Sequence, residues 1–419
     1  LNDSCLTIAE ALRANGYATY MAGKWHLNDQ RPNWPVDRGF DSSFVFLKGA
    51  GNYFYPGGIL PMEPLHASSM VKNDKPYEPP HDGYYHTDAF SENAVRFIGQ
   101  NDPAKPFFLY LAYTAPHWPL QAYPEDIAKY KGVYDAGFEV MREARYNRMV
   151  AMGIIKPEWK MSKRDSSVPP WNSLCEDEKT YWSKVMEIFA AVVDRMDQGI
   201  GKVIAELERT NQLDNTLIMF VSDNGGCNES KLDLLTKYNG EMGSGTSFLT
   251  YDSQWANVSN VPYRYFKHWM HEGGISTPFV ARYPKMIKAG TIASQPAHII
   301  DVMATCLELS GTNYPSDTNT KLKPLDGKSL TPAFKGENVA INDTLFFEHL
   351  GYRALRLGDY KIVSVYPANV WALYNMATDR SELHDLSKTF PAKVTELDAV
   401  YQLIAKRSNV VDWALVPKN

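Results

Sequence analysis

Residues 216–226 have the sequence TLIMFVSDNGG, a run of apolar residues that ends abruptly in a polar turn. A short continuous apolar run of this kind is typical of a strand buried in a parallel sheet. The preceding segment, 181–207, has apolar residues at helical spacing and predicts a long amphipathic helix. A helix that leads into a buried strand is the repeating unit of α/β proteins, so this stretch favours that fold class.

The same succession of strand and polar turn recurs along the chain. Further strands are predicted at 17–21, 107–113 and 278–283, and further helices at 7–15 and 298–309. The first two of these strands lead into the sequences GKWH and TAPHW. Strands that alternate with helices predict an α/β sandwich with a mainly parallel central sheet.

The pattern changes after about residue 335. Short strands are predicted at 345–349, 354–357, 361–365 and 371–374, with Gly358-Asp359 as a hairpin turn and a closing helix at 391–405. We therefore predict two domains, an α/β domain at 1–335 and a small subdomain at 336–419 that combines an antiparallel sheet with a helix. Two stretches, 135–173 and 227–263, lack clear periodicity and are predicted to be irregular.

Composition excludes several classes of partner. The formal net charge of −5 gives no global attraction to nucleic acid or to an anionic membrane. No run of 18 apolar residues occurs, so no transmembrane helix is predicted. The four cysteines are far apart in sequence, which favours buried free thiols over a disulfide framework or a zinc site.

Four polar clusters carry candidate chemistry. Lys24 and His26 alternate on an extended segment, where they would project to the same side and suit an oxyanion such as sulfate or phosphate. His117 lies between two prolines, Asp223-Asn224 supplies hard oxygen ligands for Ca²⁺ or Mg²⁺, and Lys267 precedes a Gly-Gly turn. Each cluster alone also fits a structural role, as a surface lysine, a core histidine or an Asx turn without metal. Because ligands of parallel sheets bind at the carboxyl ends of strands, we predict that all six side chains converge at one sheet edge.

Taken together and in order, these motifs resemble those of the type I sulfatases in the alkaline-phosphatase-like superfamily. The segments that carry the resemblance are GKWHL at 23–27, DRGFD at 37–41, PHWP at 116–119, SDNG at 222–225 and EGGI at 272–275. Asn28 stands where the family's second signature usually ends in glycine. The resemblance spans nearly the whole chain, is closest to the bacterial arylsulfatases, and implies the alkaline-phosphatase-like fold.

The resemblance also implies roles for individual residues. Lys24 and Lys267 are expected to contact the sulfate group of the substrate, together with His117, which is expected to protonate the leaving oxygen. His26 is expected to orient or deprotonate a hydrated formylglycine nucleophile. Asp223 and Asn224 are expected to be ligands of one Ca²⁺ ion. The expected substrate is a small-molecule or carbohydrate sulfate ester, cleaved to an alcohol or phenol and sulfate.

The family's nucleophile motif, Cys/Ser-x-Pro-x-Arg, does not occur in the 419 residues. In the family it lies upstream of the first motif found here, so we expect an N-terminally truncated chain with an incomplete Ca²⁺ site and little or no activity. Two alternatives remain open, a phosphate or phosphonate monoester hydrolase of the same superfamily and a non-catalytic remnant that binds anions. The sequence leaves oligomeric state and localisation undecided, and a periplasmic or secreted protein is compatible with it.

Overall fold

The computed structural model describes residues 2–55, 69–315 and 321–417. Helix α1, Ile8–Ala14, begins at the predicted cap: the Glu10 amide donates to the Thr7 hydroxyl, and the Thr7 amide donates to the Glu10 carboxylate. Gly16 follows the helix with a positive φ of 87°, which lets the chain turn directly into the first strand.

The central sheet has five strands. Strand β1, Ala18–Lys24, is flanked by β2, Ser42–Phe46, and β5, Phe107–Ala112, and both neighbours run parallel to it. Strands β3, Met70–Lys72, and β4, Lys75–Pro76, extend the sheet beyond β2 in antiparallel pairs. The strand order is β4-β3-β2-β1-β5. The predicted α/β class with a mainly parallel core is confirmed.

Helices cover both faces of this sheet. Helix α2, His86–Gln100, packs on one face and against the long helix α5, Glu176–Arg209. Helix α1 lies on the opposite face, beside α9, Asp301–Ser310. Side chains alternate along β1, so Met21 packs with Ala9 of α1 while Ala22 packs with Phe90 of α2. This alternation accounts for the two apolar layers of the sandwich.

Two predicted strands do not join the central sheet in the part of the chain that the structure describes. Strands β6, Ile218–Val221, and β7, Phe279–Arg282, form a separate antiparallel pair. The prediction that β6 is buried is also wrong, since Phe220 is 40% exposed. The apolar run identifies a strand but cannot specify which neighbours cover it.

The stretches predicted to be irregular contain helices. The first stretch holds α4, Gly137–Ala151, and the second holds α6, Leu232–Lys237, and α7, Asp252–Ser259. Two short helices lie outside both stretches, α3, Pro124–Ala128, and α8, Glu272–Ile275. Helix α4 lacks a strong apolar stripe and is held by a few large contacts, such as Phe138 edge-to-face against Trp171 and Trp255. Because few positions carry its packing, periodicity does not reveal it.

The C-terminal strands form one antiparallel sheet, preceded by the short helix α10, Thr331–Phe334. The strands are β8, Thr344–His349, β9, Tyr352–Leu357, β10, Tyr360–Ser364, and β11, Trp371–Asn375, in the order β11-β10-β9-β8. Gly358 and Asp359 form the predicted hairpin turn, and helix α11, Pro391–Arg407, packs on the sheet. The division into domains at residue 335 stays a prediction.

All four cysteines are free thiols, as predicted. The prediction that they are buried is wrong for Cys175, which is exposed at the start of α5, and the other three are partly buried. In the described ranges no helix is long and apolar enough to cross a membrane.

Candidate active site

The first part of the site lies where β1 ends. Lys24 is the last residue of the strand, and His26 follows with a left-handed φ of 47°, so the predicted extended geometry for this pair is wrong. The turn still keeps the two groups in electrostatic contact. Burial lowers the pKa of His26, and the positive charges of Lys24 and Lys267 lower it further. Gly49 allows the close approach, because a Cβ there would lie 2.6 Å from His26 ring atoms.

His117 lies in the loop after β5. Its Nδ1 is 2.8 Å from the carbonyl oxygen of Trp118, so the neutral imidazole donates from Nδ1 and leaves Nε2 free to accept. Nε2 in turn lies 3.5 Å from Nζ of Lys267. Burial lowers the pKa of His117 to about 4 despite the Trp118 carbonyl, and Lys267 and Lys24 act in the same direction as burial. The His117 imidazole is therefore neutral at pH 7 when no anion is bound.

Two lysines complete the cationic part of the site. Burial lowers the pKa of Lys24, an effect that the Asp223 carboxylate opposes and that Lys267 strengthens. Lys267 is held by a carboxylate that sequence patterns did not single out: its Nζ lies 3.3 Å from Oε1 of Glu229. The two ammonium groups thus approach one region from β1 and from the loop before α8.

The polar turn after β6 packs directly on the Gly-Gly turn of α8. The Gly225 amide donates to the Gly274 carbonyl at 3.0 Å, and the Lys267 amide donates to the Gly226 carbonyl at 3.0 Å. A Cβ on Gly225 would lie 1.8 Å from the Gly273 carbonyl oxygen, so only glycine fits there. This contact brings Asp223 and Lys267 to the same place although 44 positions separate them in the chain.

The predicted residues therefore meet, but not on one sheet. Lys24 ends β1 and His117 follows β5 of the central sheet, whereas Asp223 and Asn224 follow β6 of the separate pair. The negative charge of Asp223 raises the pKa of Lys24, against the effect of burial. The side-chain amide of Asn224 donates a hydrogen bond to the Gly225 carbonyl at 2.8 Å. The arrangement is a pocket with two ammonium groups and two neutral imidazoles, suited to an anion with several oxygens.

Comparisons with known proteins identify the family of the chain. The sequence profile of the sulfatase family matches residues 1–312, and that of the C-terminal part of N-sulphoglucosamine sulphohydrolase matches residues 262–407. The chain belongs to the sulfatase family. An uncharacterized sulfatase of Schizosaccharomyces pombe is 33% identical over 98% of this chain and 78% of its own length. The arylsulfatase of Klebsiella aerogenes is 32% identical over 79% of this chain and 73% of its own length.

A solved structure supports the same assignment. The crystal structure of Ps i-CgsB in complex with k-i-k-neocarrahexaose shares the fold with a TM-score of 0.64 at 29% identity, covering 93% of this chain and 72% of that one. The alkaline-phosphatase-like fold predicted for this sulfatase is confirmed. As a family member the chain is a sulfuric ester hydrolase, and these matches give no support to the phosphate or phosphonate alternative.

The described part of the sulfatase does not provide a complete metal site. Ca²⁺ takes about six to eight oxygen ligands, whereas the predicted pair offers the Asp223 carboxylate and the Asn224 amide oxygen. Within the described ranges no group of three acidic, histidine or cysteine side chains is placed to hold a metal ion. These residues alone do not fit a Ca²⁺ shell.

Sequence reasoning missed a polar cluster beside the pocket. Glu229 lies in the loop after Asn224 and accepts a hydrogen bond from Nε1 of Trp118 at 3.1 Å. His268 Nε2 lies 3.4 Å from Glu229 Oε1, and its Nδ1 lies 2.8 Å from Nε2 of His349 at the end of β8. His349 connects the C-terminal sheet to the sulfatase pocket. No local pattern marks these residues, because each belongs to a different element.

Proposed function

We propose that this sulfatase binds a sulfate monoester through Lys24 and Lys267 and protonates its leaving oxygen through His117. The observation that carries the proposal is the convergence of His117 Nε2 and Lys267 Nζ, 3.5 Å apart, in a pocket that also receives Lys24 and His26. Ammonium groups placed around sulfuryl oxygens stabilise the negative charge that develops there in the transition state.

The hydrogen bond of His117 defines where a proton can be transferred. Nδ1 faces the Trp118 carbonyl, so a second proton can enter only at Nε2, the atom that faces the pocket. A bound anionic ester favours this protonation because it adds negative charge close to the ring. In the proposal the proton then passes from Nε2 to the departing oxygen, and His26 remains neutral on the other side of the pocket.

The family's formylglycine and Ca²⁺ enter the proposal as expectations. Formylglycine would supply the covalent nucleophile, and this chain would contribute Asp223 and Asn224 to the ion. The substrate class is proposed to be a carbohydrate sulfate ester. Support comes from the 29% identical protein Ps i-CgsB, which is seen in complex with k-i-k-neocarrahexaose.

Hydrolysis of 4-nitrophenyl sulfate tests the proposal. A polypeptide that joins a Cys/Ser-x-Pro-x-Arg nucleophile motif to these residues is expected to release nitrophenol, and Lys24→Ala is expected to slow that reaction by about 10²-fold or more. The 419 residues, in which the motif does not occur, are expected to bind the ester without turnover. His384→Ala is a suitable control, because His384 has a 75% exposed side chain and its ion-pair partner is Asp379, outside the pocket. Preferential hydrolysis of 4-nitrophenyl phosphate by the polypeptide that carries the nucleophile motif would overturn the assignment.

A further inference from the structure

The Glu229 carboxylate presents a problem for an anion pocket. It lies 3.3 Å from the ammonium group of Lys267, which the proposed function assigns to the sulfate group. A negative charge at this distance weakens the attraction of the pocket for any anion. A neutral glutamine could hold Lys267 by a hydrogen bond, so the position of the lysine alone does not require a carboxylate.

The surroundings of Glu229 keep it ionised. Burial alone would raise its pKa, but Lys267 and then Lys231 lower it to about 2. Lys231 Nζ lies 3.5 Å from Oε2, and the Trp118 indole donates to the same oxygen at 3.1 Å. The carboxylate is thus a fixed negative charge anchored to the His117 loop and to the Lys267 loop.

With Lys231 included, the charges around the pocket leave about one net positive charge. Lys24, Lys267 and Lys231 contribute three positive charges, Asp223 and Glu229 contribute two negative charges, and burial lowers the pKa of both His26 and His117. A sulfate monoester carries one negative charge, whereas a phosphate monoester carries nearly two above its second pKa of about 6. The second charge of a phosphate ester would therefore meet no unpaired cation among these described groups.

We propose that Glu229 is a specificity-determining residue that disfavours doubly charged phosphate esters relative to singly charged sulfate esters. This inference rests on the proposed function, because it assumes that the ester lies on Lys267. An ester oxygen hydrogen-bonded to Lys267 at roughly 2.8 Å would lie about 4 to 6 Å from the Glu229 carboxylate. Across that distance one extra ligand charge changes affinity by an amount on the order of tenfold.

The test is calorimetric titration of the 419-residue chain at pH 8 with 4-nitrophenyl sulfate and 4-nitrophenyl phosphate, which have nearly the same shape. Glu229→Gln is expected to shift the ratio of the two dissociation constants by about tenfold in favour of the phosphate ester. Glu229→Asp keeps the charge and is expected to keep most of the wild-type ratio. Asp214→Asn removes one charge of an exposed pair with Arg282 at the far end of β6 and is expected to leave the ratio unchanged.

Each other outcome has a separate meaning. Equal weakening of both esters in Glu229→Gln would overturn the inference and leave Glu229 as a residue that only positions Lys267. If wild-type protein binds neither ester, the proposed function itself is overturned. Should Glu229→Gln unfold, Lys231→Met at a partly exposed position gives a second readout. It leaves the Glu229 charge less compensated, so the ratio of the two dissociation constants should move further in favour of the sulfate ester. A shift toward the phosphate ester would contradict the inference.

Discussion

Lys361→Met is expected to destabilise the protein strongly, because Lys361 is the centre of a fully buried ion network. Its Nζ lies 2.8 Å from Glu272 Oε1 and 2.8 Å from Glu382 Oε1, and the lysine side chain has no exposed surface. Arg380 provides a second cation for Glu272 at 2.6 Å. The network joins α8, which carries the Gly-Gly turn under the pocket, to β10 of the C-terminal sheet.

The size of the destabilisation depends on the partners that Glu272 and Glu382 keep once Lys361 is replaced. Glu272 keeps Arg380, but Glu382 keeps only the Glu272 amide, which donates to it at 2.8 Å. Removing one partner of a buried ion pair costs about 3–5 kcal/mol. Burial already raises the pKa of Glu382, even though Lys361 opposes the shift. The variant can therefore relieve the buried charge by protonating Glu382, and its loss should be smaller at pH 5 than at pH 8.

Urea unfolding at pH 5 and pH 8, followed by tryptophan fluorescence, measures this loss. A cost of 3–5 kcal/mol should lower the midpoint at pH 8 by roughly 1 M. Lys393→Met is the matched control, since Lys393 pairs with Glu396 on the surface. This substitution should lower the free energy of unfolding by less than about 1 kcal/mol. The double variant Lys361→Met with Glu382→Gln should recover part of the loss. A midpoint at pH 8 close to that of wild type, or equal losses at both pH values, would refute the reasoning.

Three further predictions concern acid stability, metal binding and catalysis. Burial lowers the pKa of His86 to about 3, so the wild-type protein loses stability as pH falls below about 6.5. The free energy of unfolding of His86→Phe, measured by urea unfolding, should therefore rise relative to wild type by on the order of 3 kcal/mol between pH 7 and pH 4. Calorimetry of the 419-residue chain should show no saturation by Ca²⁺ below about 1 mM, since Asp223 and Asn224 supply too few ligands; tight binding would mean that other groups complete the shell. In active protein, His117→Ala should slow alkyl sulfates about 10²-fold or more but nitrophenyl sulfate far less, because a good leaving group needs little protonation. Equal slowing of all esters would indicate that His117 only binds sulfate.

Local signals in the sequence were sufficient for most of the framework. The Thr7 cap, the apolar run of β5 and the Gly358-Asp359 turn each depend on residues within a few positions, so pattern and propensity predicted them. The helix predicted at 181–207 spans Glu176–Arg209 in the structure. The prediction is too short at both ends because the first and last turns are polar and carry no apolar periodicity. The order of the five motifs predicts the family from the sequence alone.

The predicted site residues were also identifiable, for a different reason. Lys24 ends β1, and His26, His117, Asp223 and Asn224 lie in segments that follow strands, whose carboxyl ends in α/β folds face a common crevice. Lys267 is the exception, since it lies in the loop before α8 and was marked by the Gly-Gly turn after it. The sequence could not show that β6 and β7 pair apart from the central sheet, because hydrogen-bonded neighbours are chosen by packing between distant segments. Nor could it show that Gly225 is required by its contact with Gly273.

The polar cluster around Glu229 was decided by tertiary structure alone. Glu229, His268 and His349 come from the loop after β6, the loop before α8 and the end of β8, so no periodicity or short motif links them. The same holds for Lys361, whose burial depends on carboxylates 89 and 21 positions away. Sequence thus determined which local elements form and which chemistry the strand ends carry. Folding determined which charges meet, because electrostatic contacts act through space and leave no local pattern in the chain.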